Sequence, residues 1–232
     1  RADLLPVQLH CDTDGTVANQ IAWVRTLENR GFLVADINGT KTLLIGEYNN
    51  NPNRLNGRTN DQVRIMQSTD NGDTWSEVVH FNTDGATNQV RHVHVIRQDP
   101  YTQNIYIGIG DDNNQCGIII WNGSSILHNN SLNDMAVKGK QRYRVVDFIF
   151  TESSVLIFSD TASNNTTDCG IWKASKDLTT AYLRVNNDVS NYVLHQGWFG
   201  LRTSGGTLLF IDSTYQEPVD WQLNIYASGD DG

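Results

Sequence analysis

Ile65-Met66-Gln67-Ser68 sets the reading of the whole chain, because it comes back as Ile120-Trp121-Asn122-Gly123, as Ile171-Trp172-Lys173-Ala174 and as Ile225-Tyr226-Ala227-Ser228. The intervals are 55, 51 and 54 residues. A fixed period of this size marks a repeat architecture, in which one supersecondary unit stacks on copies of itself to bury a continuous core. Upstream of each recurrence lies a pair of apolar runs. Residues 31–37 (GFLVADI) and 42–47 (TLLIGE) return as 90–97 (VRHVHVIR) and 104–111 (NIYIGIGD). They return again as 144–151 (RVVDFIFT) and 154–160 (SVLIFSD), then as 196–203 (QGWFGLRT) and 206–212 (GTLLFID). The joints contain Asn38-Gly39, Asp99-Pro100 and Ser204-Gly205-Gly206, residues that make tight hairpin turns. Runs that are half alternating and half continuously apolar suit strands buried on both faces.

Each unit continues through a polar loop into a third strand, at 63–67, 117–121, 170–174 and 222–227. A weaker fourth follows at 76–81 and 180–185. Four antiparallel strands in about 50 residues, repeated, are the blade of a β-propeller. The expected fold is therefore all-β, with blades at approximately 27–85, 86–137, 140–187 and 192–232. A β-sandwich also uses many short strands, but it does not require them to recur at a fixed period. Residues 1–26 are expected to belong to a preceding or a closing blade. The chain opens on Arg1 rather than Met and carries no signal peptide, so it reads as a piece of a longer protein and of a larger ring.

Composition narrows the functions. The chain has 232 residues, enough for one domain with a continuous core. No apolar run approaches the roughly 20 residues of a membrane helix. A net charge of -9 and a pI near 5.0 argue against binding to nucleic acid or anionic membranes, which need clustered Lys and Arg. Three widely spaced cysteines, Cys11, Cys116 and Cys169, form no CxxC pair and do not describe a disulfide framework. Cys116 and Cys169 precede Gly-Ile in neighbouring units, and equivalent positions of adjacent blades lie too far apart to be bonded. Both are expected to be reduced. Sequons at Asn38, Asn122, Asn129, Asn164 and Asn165 indicate turns or loops.

Residues 68–75, Ser68-Thr69-Asp70-Asn71-Gly72-Asp73-Thr74-Trp75, read S-x-D-x-G-x-T-W. This stretch resembles the Asp-box, or BNR repeat, of sialidase-like propellers. The resemblance implies a structural turn between the third and fourth strands, on the face opposite the ligand site. Asn71-Gly72 would supply positive φ angles, Asp70 would accept backbone N–H groups, and Trp75 would wedge apolar surface under the next blade. Ser68, Asp70, Gly72 and Trp75 are thus structural candidates. Degenerate copies stand at Ala174-Ser175-Lys176-Asp177 and Gly123-Ser124-Ser125. Cys11–Gly15 reads as a decayed box, and Ser228–Gly232 matches S-x-D-x-G at the end of the chain. The F/Y-R-I-P arginine motif of sialidase-like enzymes is not found, so their activity is not carried over. Propeller-built polysaccharide lyases use His, Tyr and Arg, which the present residue types resemble.

In a four-stranded meander the start of the first strand and the end of the second lie on one face, where function belongs. Second-strand ends bring Glu47, Asp111, Asp160 and Asp212 there. First-strand starts bring Arg91, His92, His94, Arg144, Asp147 and His195, the last close to Trp198. His92 and His94 share one side of a strand. Two carboxylates about 8 Å apart at an effective dielectric near 20 repel by roughly 2 kcal/mol, so acids gathered there need compensation. Arginine, protonated histidine, a raised carboxyl pKa or a bound divalent cation each supplies it. No cofactor is otherwise implied. An acid at a strand end also caps the following loop, and the loop 48–60, with Arg54 and Arg58, is placed to reach over the face.

Two functions follow. The first is a secreted, cell-surface or virion-borne propeller that binds a polysaccharide and, if it is an enzyme, cleaves it as a glycoside hydrolase or lyase. Its catalytic candidates are His92, His94, Asp147 and Arg144, and its ligand-binding candidates are Glu47, Asp111, Asp160, Asp212, His195 and Trp198. The second is a non-catalytic structural or adhesion module, for example of a phage tail. An enzyme should open its perturbed groups to a cleft, whereas a platform should close them in salt bridges.

Overall fold

The computed structural model describes residues 30–48, 62–82, 90, 92–113, 115–129, 141–161, 168–179, 183–184, 194–216 and 220–228. These form four antiparallel sheets in chain order, without an α-helix among them. The first sheet joins β1 (Phe32–Ile37), β2 (Thr40–Gly46), β3 (Gln62–Ser68) and β4 (Ser76–Asn82). The second joins β5 (Val93–Gln98), β6 (Ile105–Ile109), β7 (Gly117–Trp121) and β8 (Ile126–Asn129). The third joins β9 (Val145–Phe150), β10 (Ser154–Ser159), β11 (Gly170–Ser175) and β12 (Leu183–Arg184). The fourth joins β13 (Leu194–Arg202), β14 (Leu208–Gln216) and β15 (Asp220–Ser228). Every sheet is a meander with sequence-adjacent strands paired. The second sheet has the four strands expected of a blade, and its fourth, Ile126–Asn129, is a short segment without a strong strand pattern to mark its position in the sequence.

The sheets stack in a propeller-like succession. Strand β5 packs on the first sheet, β9 on the second and β13 on the third, so each sheet presents its first strand to the one before. Three core layers result. Ala35, Leu44, Val63 and Ile65 meet Val93, Ile96, Ile107 and Ile119 in the first layer. Val95, Tyr106, Ile118 and Ile120 meet Val145, Phe148, Ile157 and Trp172 in the second. Val146, Ile149, Leu156, Phe158 and Ile171 meet Leu208 in the third. Consecutive residues of β5 and β6 thus serve opposite layers, which explains their continuous apolar runs. Each fully buried Ile or Phe contributes about 1.5–3 kcal/mol. Two glycines permit the close approach. A Cβ on Gly46 would stand 2.3 Å from Val93 Cγ1, and one on Gly108 would stand 2.8 Å from the Val145 carbonyl oxygen.

The turns between third and fourth strands share one device, a side-chain oxygen that gathers backbone donors. After β3, Asn71 and Gly72 have φ of 64° and 102°. Asp70 Oδ1 accepts from Thr74 N at 2.9 Å, Ser68 Oγ accepts from Gly72 N at 2.9 Å, and Trp75 Nε1 donates to Gly72 O at 2.9 Å. The hydrogen bond from the Thr74 hydroxyl first, then those from the Thr74 amide and the Ser68 hydroxyl, hold the Asp70 carboxyl down at about 2. After β11, Asp177 Oδ1 accepts from Ser175 Oγ at 2.5 Å and from Thr179 N at 3.1 Å. After β7, Asn122 Oδ1 accepts from Ser125 N at 2.7 Å. The neighbouring Lys176 reaches across to Asp99 at 2.9 Å, tying the third sheet to the β5–β6 hairpin.

Candidate functional site

At the other end of the strands, three sheets deliver polar side chains to one place. Glu47 and Tyr48 follow β2, His92 and His94 flank the start of β5, Asp111 follows β6, and Arg144 and Asp160 flank β9 and β10. The main chain sets this convergence. Val93 N donates to Glu47 O at 2.9 Å, and Tyr48 forms an antiparallel bridge with His92, so the first and second sheets are joined at the mouth. Asp160 N donates to Arg144 O at 2.9 Å, fixing the start of β9 against the end of β10.

Asp111 is the hub. Its Oδ2 lies 2.6 Å from His92 Nε2 and its Oδ1 lies 3.1 Å from His94 Nε2. A carboxylate only accepts, so each ring donates its Nε2–H. Among the described residues, the Nδ1 atoms of both rings are buried without a hydrogen-bond partner, as is Arg144 Nε. Tyr48 stacks on His92 with centroids 4.0 Å apart and planes 15° apart, and His92 stacks on His94 at 5.8 Å. Arg144 Nη2 then links two sheets, standing 3.5 Å from Asp111 Oδ1 and 3.4 Å from Asp160 Oδ2. The two carboxylates that share this guanidinium are within about 7 Å of one another.

Their environments push them apart. Burial raises Asp111, but the two imidazole hydrogen bonds and the positive field of the rings outweigh it and leave the carboxyl well below its usual range. Burial raises Asp160 above that range, and Arg144 offsets only part of the effect. Exposure divides the cluster as well. The imidazoles are 2% exposed, whereas the side chains of Arg144 and Asp160 are 30% and 21% exposed. The reachable groups are thus the Arg144 guanidinium, Asp160 with its raised pKa and, at 13% exposure, Asp111, beside half-buried Tyr48 and over two closed imidazoles.

The remaining sequence candidates go elsewhere. Glu47 is buried in a pair with Arg64, whose Nη2 stands 2.6 Å away, and it also accepts from Arg64 N at 2.8 Å. Asp147 is not in the cluster. It is fully buried on β9, pairs with Arg97 Nε at 3.0 Å and accepts from the Gly200 and Phe148 amides, each at 3.0 Å. It staples the second, third and fourth sheets together, and burial raises its pKa despite Arg97. Asp212 does not end its strand as expected. Strand β14 runs on to Gln216, and Asp212 pairs with Gly197 in mid-strand. His195 lies within β13 rather than before it, and Trp198 lies within β13 as expected; their side chains, and that of Asp212, are outside the described residues, as are Arg91, Arg54 and Arg58. Among the described residues no group of three or more His, Cys, Asp or Glu has the arrangement of a metal site. Cys116 and Cys169 are both buried, and no disulfide joins them.

Sequence reasoning missed Tyr48 and Arg64. No signal marked Tyr48, which opens a polar loop. Arg64 did carry one: a charge between Val63 and Ile65 on a strand buried on both faces requires a partner.

No protein-family model matches the chain, and no curated protein sequence matches it. Two solved structures resemble the fold. An endo-arabinase from Bacteroides thetaiotaomicron is 12% identical with a TM-score of 0.44, over 90% of this chain and 79% of that one. An α-L-arabinofuranosidase from Podospora anserina, in complex with cellotriose, is 11% identical with a TM-score of 0.40, over 95% of this chain and 68% of that one.

Proposed function

We propose that this chain is part of a larger β-propeller of an extracellular or virion-borne protein that binds a glycan at the mouth formed by Tyr48, Asp111, Arg144 and Asp160, and hydrolyses it there. One observation carries the reading: Asp111 and Asp160 share a single guanidinium, and one is held ionised while the other is pushed toward its protonated form. Paired carboxylates with divergent pKa values are the acid and base equipment of glycoside hydrolysis. Asp160, partly exposed, is the general acid that protonates the leaving oxygen. Asp111, anionic and oriented by His92 and His94, stabilises positive charge at the reacting carbon or activates water. Arg144 sets the distance between them. The catalytic weight thus shifts from Asp147 and the histidines to two residues first read as ligand-binding.

The test is release of reducing ends from a polysaccharide panel by wild type, Asp160→Asn and Asp111→Asn. Each substitution should lower turnover at least about 100-fold, as loss of an acid or base does, while leaving binding measurable. Unchanged turnover in both variants would refute the assignment.

The closure of His92 and His94 favours a second reading, a non-catalytic adhesion module whose polar cluster only joins blades. It predicts glycan binding without any reducing-end release, and a fall in melting temperature when His92 is replaced by Ala.

A further inference from the structure

On the face opposite the mouth, a half-open cleft of about 350 Å³ lies between the second and third sheets. Asn104, Tyr106, Ile120 and Leu127 line it from the second sheet, and Asp177 and Thr179 close it from the turn between β11 and β12. Asn104 precedes β6 and Asp111 follows it, so the cleft and the mouth stand roughly 23 Å apart along that strand. The closing turn is the degenerate copy of S-x-D-x-G. Leu178 takes the place of Asn71 and adopts the same left-handed backbone, with φ of 59° against 64°, a conformation that costs energy for an apolar side chain. Burial offsets that cost, because Leu178 is 3% exposed and packs in the core layer of Tyr106 and Ile120. The Tyr106 hydroxyl donates to the Lys176 carbonyl. Together these contacts hold Asp177 and Thr179 over an apolar floor.

The polar groups of the cleft have bonding capacity left. Asn104 is bonded to Asp99 and Thr102 through its backbone, but among the described residues its side-chain amide has no partner. Asp177 is fixed by the Ser175 hydroxyl first, then by the Thr179 amide and hydroxyl, and these bonds hold its carboxyl down at about 2. It is therefore ionised, with an acceptor position to spare. A wholly apolar ligand would desolvate this carboxylate and amide without replacing their bonds to water. An anionic ligand would face Asp177, and a cationic one would share the cleft with Lys176. A sugar ring meets both demands: its C–H face lies on Ile120 and Leu127, one hydroxyl donates to Asp177, and a neighbouring oxygen accepts from Asn104. We propose that this cleft is a second glycan-binding site, taking one or two neutral sugar residues of the polymer that the mouth acts on. The choice of ligand rests on the glycan reading above. A polymer held here stays near the mouth, and its second contact becomes intramolecular.

The experiment is carbene footprinting of the chain titrated with tetrasaccharides cut from xylan, galactan and β-glucan. Leu127 is 55% exposed and open to the label. Saturation with at least one of these sugars should lower its labelling about threefold or more, since a ligand in a cleft is largely enclosed by it, and should protect Tyr48 at the mouth as well. Asn104→Ala removes one hydrogen bond and should raise the concentration for half-protection of Leu127 about fivefold, leaving that for Tyr48 unchanged. Leu127 unprotected where Tyr48 is protected would overturn the cleft site and leave the glycan reading standing. Equal half-protection of Leu127 in wild type and Asn104→Ala would overturn the ligand contacts assigned here. Protection of Leu127 without Tyr48 would keep the cleft site and remove the mouth, and protection of neither would refute both.

Discussion

Replacing Asp147 separates a structural staple from a catalytic acid. In Asp147→Ala the Phe148 and Gly200 amides lose their acceptor, and Arg97 is left beside an apolar gap. An orphaned buried donor costs about 1–3 kcal/mol, and breaking a buried ion pair by removing one partner costs about 3–5 kcal/mol. Arg97 is 23% exposed and can turn toward water, so the expected loss is about 3–4 kcal/mol. Asp147→Asn removes a charge that burial already disfavours, but its single carboxamide oxygen can serve only one of the two amides and its NH2 faces the other, so it should cost about 1–3 kcal/mol, less than the Ala variant. The pH dependence has a definite sign. The native pKa lies above the unfolded one, so ionisation of Asp147 erodes stability as pH rises from the ordinary carboxylate range through the native value. The Asn variant should therefore compare worst with wild type near pH 4 and best at neutral pH. Urea unfolding followed by tryptophan fluorescence at both pH values measures all three quantities. An Asp147→Ala protein as stable as wild type but without turnover would refute the staple and restore Asp147 to the reaction.

Further outcomes are expected elsewhere. Gly108→Ala places a methyl group 2.8 Å from the Val145 carbonyl oxygen; it should cost about 1–3 kcal/mol by overpacking the joint between the second and third sheets, read as a lower urea midpoint. Ser68→Ala removes the acceptor of Gly72 N and should cost about 1 kcal/mol by the same measurement. The depressed pKa of Asp111 gives stability that is present above the ordinary carboxylate range and lost as pH falls through its native value; melting temperatures of Asp111→Asn should accordingly fall less than those of wild type between pH 5 and pH 2. Burial raises the Cys116 thiol to about 12, so iodoacetamide should label Cys116 and Cys169 only after denaturation, as located by peptide mass spectrometry.

The repeat was legible because its physical cause is local. Strands covered on both faces need continuous apolar runs, and Ile105–Ile109 and Gly117–Trp121 show them directly. The S-x-D-x-G turn was legible for the same reason, since all its bonds fall within residues 68–75. The site was only partly so. Strand ends correctly brought His92, His94, Asp111, Arg144 and Asp160 to one face, but their pairing depends on side-chain direction across separate sheets. Asp147 misled because a β-bulge between Phe158 and Ser159 shifts the local register, and its partners Arg97 and Gly200 lie about 50 residues away on either side. Asp212 misled because β14 runs four residues past it, beyond the apolar run Leu208–Ile211.

The rung between Tyr48 and His92, together with the bond from Val93 N to Glu47 O, is made of backbone atoms. The half-buried side chain of Tyr48 can consequently change identity without unseating the neighbouring sheet, since amide and carbonyl groups are common to nearly every residue. A new ligand preference can therefore be grafted at Tyr48 by substitution alone, which makes this position a natural starting point for directed evolution.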